Sequence, residues 1–167
     1  MTAGAMAPLR EEHRELFPNI ERLSAVADEV GRTDGAALRA KLDESYTFLA
    51  HQLVPHAKAE DEVLYPEVAR LLGGPRATAT MSRDHVEVVA LISELATLRS
   101  FHGEPDGERQ NALRRVLYGL HALVRTHFAK EEEIYVPLLD DRLTMDEGRD
   151  LIRRMEAAAA RLKATTS

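Results

Sequence analysis

Apolar residues return at intervals of three and four through four long stretches of the chain: LREEHRELFPNIERLSAVADEV (9–30), ALRAKLDESYTFLAHQLVPHAKAEDEVLYPEVARLL (37–72), ATMSRDHVEVVALISELATLRS (79–100) and GERQNALRRVLYGLHALVRTHFAKEEEIYVPLL (107–139). That period belongs to an α-helix with one face turned to a core. Two-residue alternation is nearly absent, and Ala, Leu, Glu and Arg, all good helix formers, dominate. The breaks fall at GRTDG, GGPRATAT and SFHGEPDG, which are rich in Gly, Pro or Asp and short enough to force antiparallel neighbours. The pattern predicts an all-α fold, an antiparallel up-and-down four-helix bundle over residues 6–142. A short extra C-terminal helix is expected over 143–164, packed on the bundle's outside, because Thr144 and Glu147 make a Thr-x-x-Glu capping box at its start. The first few residues and the terminal ATTS are expected to be disordered.

The polar residues that interrupt these stripes repeat. HAKAEDEVLYP at 56–66 is echoed by HFAKEEEIYVP at 127–137: His56 and His127, Glu60 and Glu131, Glu62 and Glu133, and Pro66 and Pro137 are each 71 positions apart, while His13 and His85 are 72 apart. The second helix pair therefore echoes the first. A duplicated hairpin buries its apolar faces against its twin, so the echo has an architectural reading as well as a chemical one.

The helical phase favours chemistry. His56 and Glu60 lie about 40° apart on one helix face, and so do His127 and Glu131. One such pair on a surface usually means nothing. Here the stripes run Leu49, Leu53, His56, Glu60, Leu64 and Leu120, Leu123, Val124, His127, Glu131, Tyr135. A carboxylate buried on such a stripe without a partner costs several kcal/mol, so two of them beside histidines call for a cation. His13 and His85 offer one imidazole from each remaining helix, although a lone core histidine is more often just hydrogen-bonded. Mixed imidazole and carboxylate donors suit iron, zinc or manganese rather than calcium or magnesium. Six donors exceed what one zinc usually takes, and two metals bridged by the two glutamates fit the count. None of the seven histidines has a Glu three residues before it, as ferritin-like carboxylate sites require, and the His-Glu-x-x-His motif of zinc proteases is absent.

Composition narrows the classes further. At 167 residues, with 44% hydrophobic and 30% charged, the chain fits one soluble domain, and no apolar run approaches the roughly 18 residues of a membrane span. A net charge of -6 with scattered basic residues gives no footprint for nucleic acid. There is no cysteine, which removes disulfides and thiolate metal sites. The start turns charged before a signal-length apolar run develops, so a cytoplasmic location is expected.

The order His13, HAKAE from 56, His85 and HFAKE from 127 resembles the hemerythrin-like family, also called the HHE cation-binding domain, over roughly residues 8–140. The resemblance implies two non-haem irons in a four-helix bundle, held by His13, His56, Glu60, His85, His127 and Glu131. The two glutamates, with an oxo or hydroxo group, would bridge the pair. Oxygen-carrying members have a second histidine four after the first on the third helix; that position is Val89 here, which leaves one iron an imidazole short. Tyr135, four residues beyond Glu131, is the candidate replacement, against the commoner alternative of a core phenol with its hydroxyl hydrogen-bonded. The expected small molecules are dioxygen, hydrogen peroxide or nitric oxide, bound or consumed as by a catalase or peroxidase. The alternative is an iron or oxygen sensor, or an iron-binding module without turnover. No protein partner is indicated.

His51 and His121 turn away from the ligand stripe and read as supporting or surface groups, and His102 sits in a loop. Asp61, Glu62, Glu132 and Glu133 read as a solvated acidic patch at the mouth of the site. Pro18, Pro55 and Pro66 either bend their helices, with Pro55 widening the bundle beside His56, or merely mark breaks between shorter helices.

Overall fold

The computed structural model describes residues 4–165. Helix α1 spans Ala7–Glu29, α2 residues 35–71, α3 Ala79–Leu98, α4 residues 107–142 and α5 Met145–Thr165. Helix α1 packs against α2 and α4, and α3 against the same two, so the four helices close a square in chain order. This is the up-and-down bundle that the periodicity predicts, and no strand occurs among the described residues. Helix α5 opens on the expected capping box: the Glu147 carboxylate accepts from the Thr144 backbone N–H at 2.8 Å, and the Glu147 N–H donates back to the Thr144 hydroxyl at 3.3 Å. It lies along the middle of α2, over residues 54–64. Residues 1–3 and 166–167, within the segments expected to be disordered, fall outside the described residues, whereas Ala164 and Thr165 still belong to α5. Met6 is fully buried, with its N–H donating to Asp140 at 2.8 Å.

Helices α2 and α4 run through their prolines instead of breaking. Each proline lacks an N–H and crowds the carbonyl four residues back. The chain answers with a π-helical turn just before it: Leu49–Leu53 ahead of Pro55, Glu60–Leu64 ahead of Pro66, and Glu131–Tyr135 ahead of Pro137. In each turn the residue preceding the proline donates to the carbonyl five back, Val54 to Leu49, Tyr65 to Glu60 and Val136 to Glu131. Pro18, by contrast, sits inside α1 without such a turn. Two of the three turns begin at Glu60 and Glu131, so the widened backbone starts at the buried carboxylates.

The apolar core falls into two clusters. One contains Leu16, Ile20, Leu49, Ile92, Leu117 and Val124; the other contains Leu9, Leu64, Met81, Val136, Leu139 and Leu151, including the seat of α5. Between them lie the buried His13, His56, Glu60, His85, His127 and Glu131. One end of the bundle is held by caps: Asp34 accepts from Ala36 and Ala37 N–H at 3.1 Å, and Asp106 from Arg109 N–H at 2.8 Å. At that end the 99–106 loop closes onto the start of α2, where the Gly35 N–H donates to Glu104 at 2.7 Å. A Cβ on Gly35 would stand 2.0 Å from the Gly103 carbonyl oxygen. Gly35→Ala should therefore lower stability by about 1–3 kcal/mol in urea unfolding, as overpacking does. An unchanged midpoint would mean that the loop does not seat there.

Candidate metal centre

Each long helix of the bundle brings its polar residues inward on an apolar stripe. On α1 the buried series is Leu9, His13, Leu16, Ile20, and on α3 it is Met81, His85, Val88, Ile92, so both histidines occupy core positions. Helices α2 and α4 supply His56 with Glu60 and His127 with Glu131, as i,i+4 pairs. Both glutamates have zero exposure. Four imidazole Nε2 atoms converge on the two carboxylates. His13 Nε2 is 3.6 Å from both Glu60 and Glu131, His56 Nε2 is 2.9 Å from Glu60, His85 Nε2 is 3.3 Å from Glu60, and His127 Nε2 is 3.5 Å from Glu131. Two triads can each hold a cation, His13–His56–Glu60 and Glu60–His85–His127, with donor atoms within 4.8 Å of one another in each. Glu60 belongs to both. The clusters are thus positioned for a carboxylate-bridged pair of metals.

A second ring of carboxylates fixes the imidazoles. His13 Nδ1 meets Glu132 at 2.6 Å, His56 Nδ1 meets Glu12 at 3.0 Å, His85 Nδ1 meets Asp61 at 2.8 Å, and His127 Nδ1 meets Asp84 at 3.0 Å. An Nδ1–H donated outward leaves Nε2 as a lone pair pointing inward, the tautomer that a metal ligand needs. The ring obeys the sequence repeat and crosses it. Glu12 and Asp84, each preceding a histidine of α1 or α3 (the outer helices), hold the histidines of α2 and α4 (the inner helices); Asp61 and Glu132, each following a buried glutamate, hold the histidines of the outer helices. The acidic residues read as a solvated patch are therefore divided. Asp61 and Glu132 orient histidines, Glu62 pairs with Arg161, and Glu133 is exposed. An acid directly before His13 and His85, and another directly after Glu60 and Glu131, was the sequence signal for this ring.

The interior is short of protons. His13 Nε2, His56 Nε2, both Glu60 oxygens and Glu131 Oε2 are buried without a hydrogen-bond partner, and the 2.9 Å approach of His56 to Glu60 lacks hydrogen-bond alignment. His85 and His127 turn their Nε2 atoms to within 2.9 Å of each other. Buried acceptors facing acceptors are costly, and a cation between them removes the cost. The donor set thus fits two cations. Without metal, protons take that place. Burial alone would lower the His13 pKa, but the hydrogen bond to Glu132 and the nearby Glu60 carboxylate raise it to about 9. His85 likewise reaches about 9 through Asp61 and Glu60 against its burial. Burial works against the charged form of both partners, yet His56 is raised by the charge of Glu60 together with the contact to Glu12, and Glu60 is lowered by the charge of His56 together with His13 and His85.

Tyr135 is not brought into this group. Its hydroxyl donates to the Ala77 carbonyl at 3.3 Å. The phenol inside the cluster is Tyr65, whose hydroxyl donates to Glu131 Oε1 at 2.7 Å and lies 3.0 Å from His127 Nε2. The π turn explains the exchange: a turn closed by i→i+5 bonds sets residue i+5 over residue i, so Tyr65 follows Glu60 and Val136 follows Glu131 on the inner face. Val89 also lies elsewhere, 41% exposed, because the buried stripe of α3 continues through Val88. His51 and His102 are exposed, and His121 is half-buried, 3.2 Å from Glu21. Beside the cluster is a void of about 10 Å³, walled by Leu53, Ala57, Val88, Val124 and Phe128 as well as His56, Glu60, His85 and His127. That is room for about one water-sized molecule.

Compared with known families, residues 5–139 match the model described as Hemerythrin HHE cation binding domain. No curated protein and no solved structure matches the chain. No helix among the described residues is long and apolar enough to cross a membrane.

Raised histidine pKa values stabilise the metal-free fold fully below the unfolded value of 6.5, and that contribution is lost as pH rises through about 9. The melting temperature of metal-free protein should therefore fall between pH 6.5 and pH 9.5, by roughly 5 °C or more. Metal-loaded protein should melt at nearly constant temperature over the same window, because its ligands are already deprotonated. A metal-free melting temperature that stays level or rises would contradict proton sharing in the cluster.

Proposed function

Given that the chain belongs to the hemerythrin HHE cation-binding domain family, we propose that it holds two non-haem irons and binds or consumes a small oxidant: dioxygen, hydrogen peroxide or nitric oxide. The observation that carries this reading is the set of five buried, unpartnered donor atoms around Glu60 and Glu131, next to a void of molecular size. His13 and His56 would serve one iron, His85 and His127 the other, with Glu60 and Glu131 spanning the pair. When bound, the irons supply the redox chemistry that no side chain here can supply.

The chain's own residues then do three things. Glu12, Asp61, Asp84 and Glu132 hold the four imidazoles in ligand orientation, which raises their basicity as donors. Leu53, Val88, Val124 and Phe128 keep the void apolar and admit only a very small guest. Tyr65 offers a fixed proton. Burial, reinforced by the charges of Glu60 and Glu131, pushes its pKa up, so the phenol stays neutral and can donate to an anionic oxygen species. Lys130 also reaches Asp84, which ties the His127 support to a surface cation.

Protein purified from iron-replete cells should carry about two irons per chain, and Glu60→Ala or Glu131→Ala should each lose metal and melt lower. One firmly bound zinc instead, or full iron in either variant, would refute the bridged pair. Tyr65→Phe should keep about two irons but react with peroxide or nitric oxide at least tenfold more slowly in stopped-flow measurements. Equal rates would reduce Tyr65 to packing. Iron retained with no reaction at all, even in the unaltered chain, would leave an iron-binding module.

A further inference from the structure

A second cavity lies beside the metal cluster, between α1 and α4, with His13 in its lining, and has a volume of about 490 Å³. That volume is within the range of about 300–1,000 Å³ typical of small-molecule sites. Its apolar wall is made by Phe17, Pro18, Phe128 and Ala129. Phe17 is a large hydrophobic side chain left 37% exposed. Arg10, Arg14 and Arg125 line the same cavity, and Glu132 is its one lining carboxylate. The Glu132 carboxylate is engaged by His13 at 2.6 Å, so the lining is positive on balance.

The arginines are paired unequally. Arg10 is held by Asp140 at 2.7 Å and stands 3.7 Å from Glu132. Among the described residues Arg14 pairs with Glu11 on its own helix, its side chain 68% exposed, and Arg125 stands 3.9 Å from Glu21. Exposed pairs of this kind hold weakly, so both guanidinium groups can turn to an anion and bind it with two parallel hydrogen bonds. The floor of the cavity is also the outer wall of the metal cluster. The Phe128 ring stacks on His13 with centroids 4.5 Å apart and planes 17° apart.

We propose that this cavity binds a small organic anion, a flat apolar body carrying a carboxylate, sulfonate or phosphate group. The body rests on Phe17 and Phe128, and the anionic group lies toward Arg14 and Arg125. Although His13 is part of its lining, the site needs no metal to bind, so probe binding is read separately from iron content. Occupancy would press on Phe128 and Glu132, both in contact with His13, and so bring an organic acid next to one end of the cluster.

The test uses two fluorescent probes, anilinonaphthalene sulfonate and the neutral phenylnaphthylamine, titrated into the full-length protein at a temperature well below its melting point. The sulfonate should bind once per chain and at least tenfold more tightly than the neutral probe. Ala129 is exposed, so Ala129→Trp fills the cavity without touching the core and should weaken sulfonate binding at least tenfold. The double variant Arg14→Glu with Arg125→Glu should weaken the sulfonate at least tenfold and the neutral probe less than twofold. Ala160→Trp, on the exposed side of α5, should change neither. Sulfonate binding that survives Ala129→Trp, or that Ala160→Trp removes, would overturn the site. Equal binding of the two probes would overturn the anionic class.

Discussion

Glu60 and Glu131 are wholly out of water in the middle of a helical bundle, where an uncompensated carboxylate costs several kcal/mol. Most of what surrounds them answers that cost. Four histidines turn Nε2 toward the pair, and four further carboxylates at the periphery hold the Nδ1 sides. The arrangement is saturated on its outer side and deficient on its inner side. Protons can fill the deficit only while the histidines hold them, up to about pH 9 for His13 and His85. Divalent or trivalent cations fill it without that limit. The polar layer also divides the core in two, so the metal centre sits where the bundle would otherwise have its central packing.

The duplication provides the geometry at low cost in sequence information. Each half contributes an acid before its outer-helix histidine and an acid after its buried glutamate. Because the supports cross, with Glu12 reaching His56 and Glu132 reaching His13, no histidine is oriented by its own neighbour in the chain. Every support instead spans two helices. The outer ring thus ties the imidazoles to the packing of the bundle, and a shift of one helix would disturb a hydrogen bond to another.

The fold was legible because three- and four-residue periodicity, short polar loops and the Thr144–Glu147 box all point the same way, and the six inward residues were legible because their types and spacing repeat. What misled was phase. Projection at a constant helical angle assigns Tyr135 to the stripe and leaves Tyr65 off it, yet the π turns from Glu60 and Glu131 advance the inner face by one residue. Proline six residues after each buried glutamate was the visible warning, since it removes a helical donor just where the turn widens. Val89, four residues beyond His85, is exposed, and the interior of α3 continues three residues on, at Val88. The outer carboxylates were hidden by their number, because acids on a helix surface are common and only contact across helices distinguishes Asp61 from Glu62.

Where the two halves agree they build the cluster, and where they differ they make its two ends unlike. Tyr65 corresponds by the 71-residue offset to Val136, and Phe128 to Ala57. The phenol therefore lies at the His85–His127 end, with its ring stacked on His85 at 5.4 Å between centroids, while Phe128 stacks on His13 and meets His56 edge-on. One end has a hydrogen-bond donor of raised pKa, and the other has a purely apolar aromatic wall that borders the arginine-lined cavity. Ligation needs the symmetry, since each half must offer two imidazoles and one carboxylate. The departures from it would let a small guest tell one end of the cluster from the other, by a hydroxyl at one end and an apolar ring at the other. The side chains that break the repeat, Tyr65 and Phe128, are accordingly what makes the two ends of the cluster unlike, even though neither belongs to the repeated His and Glu pattern.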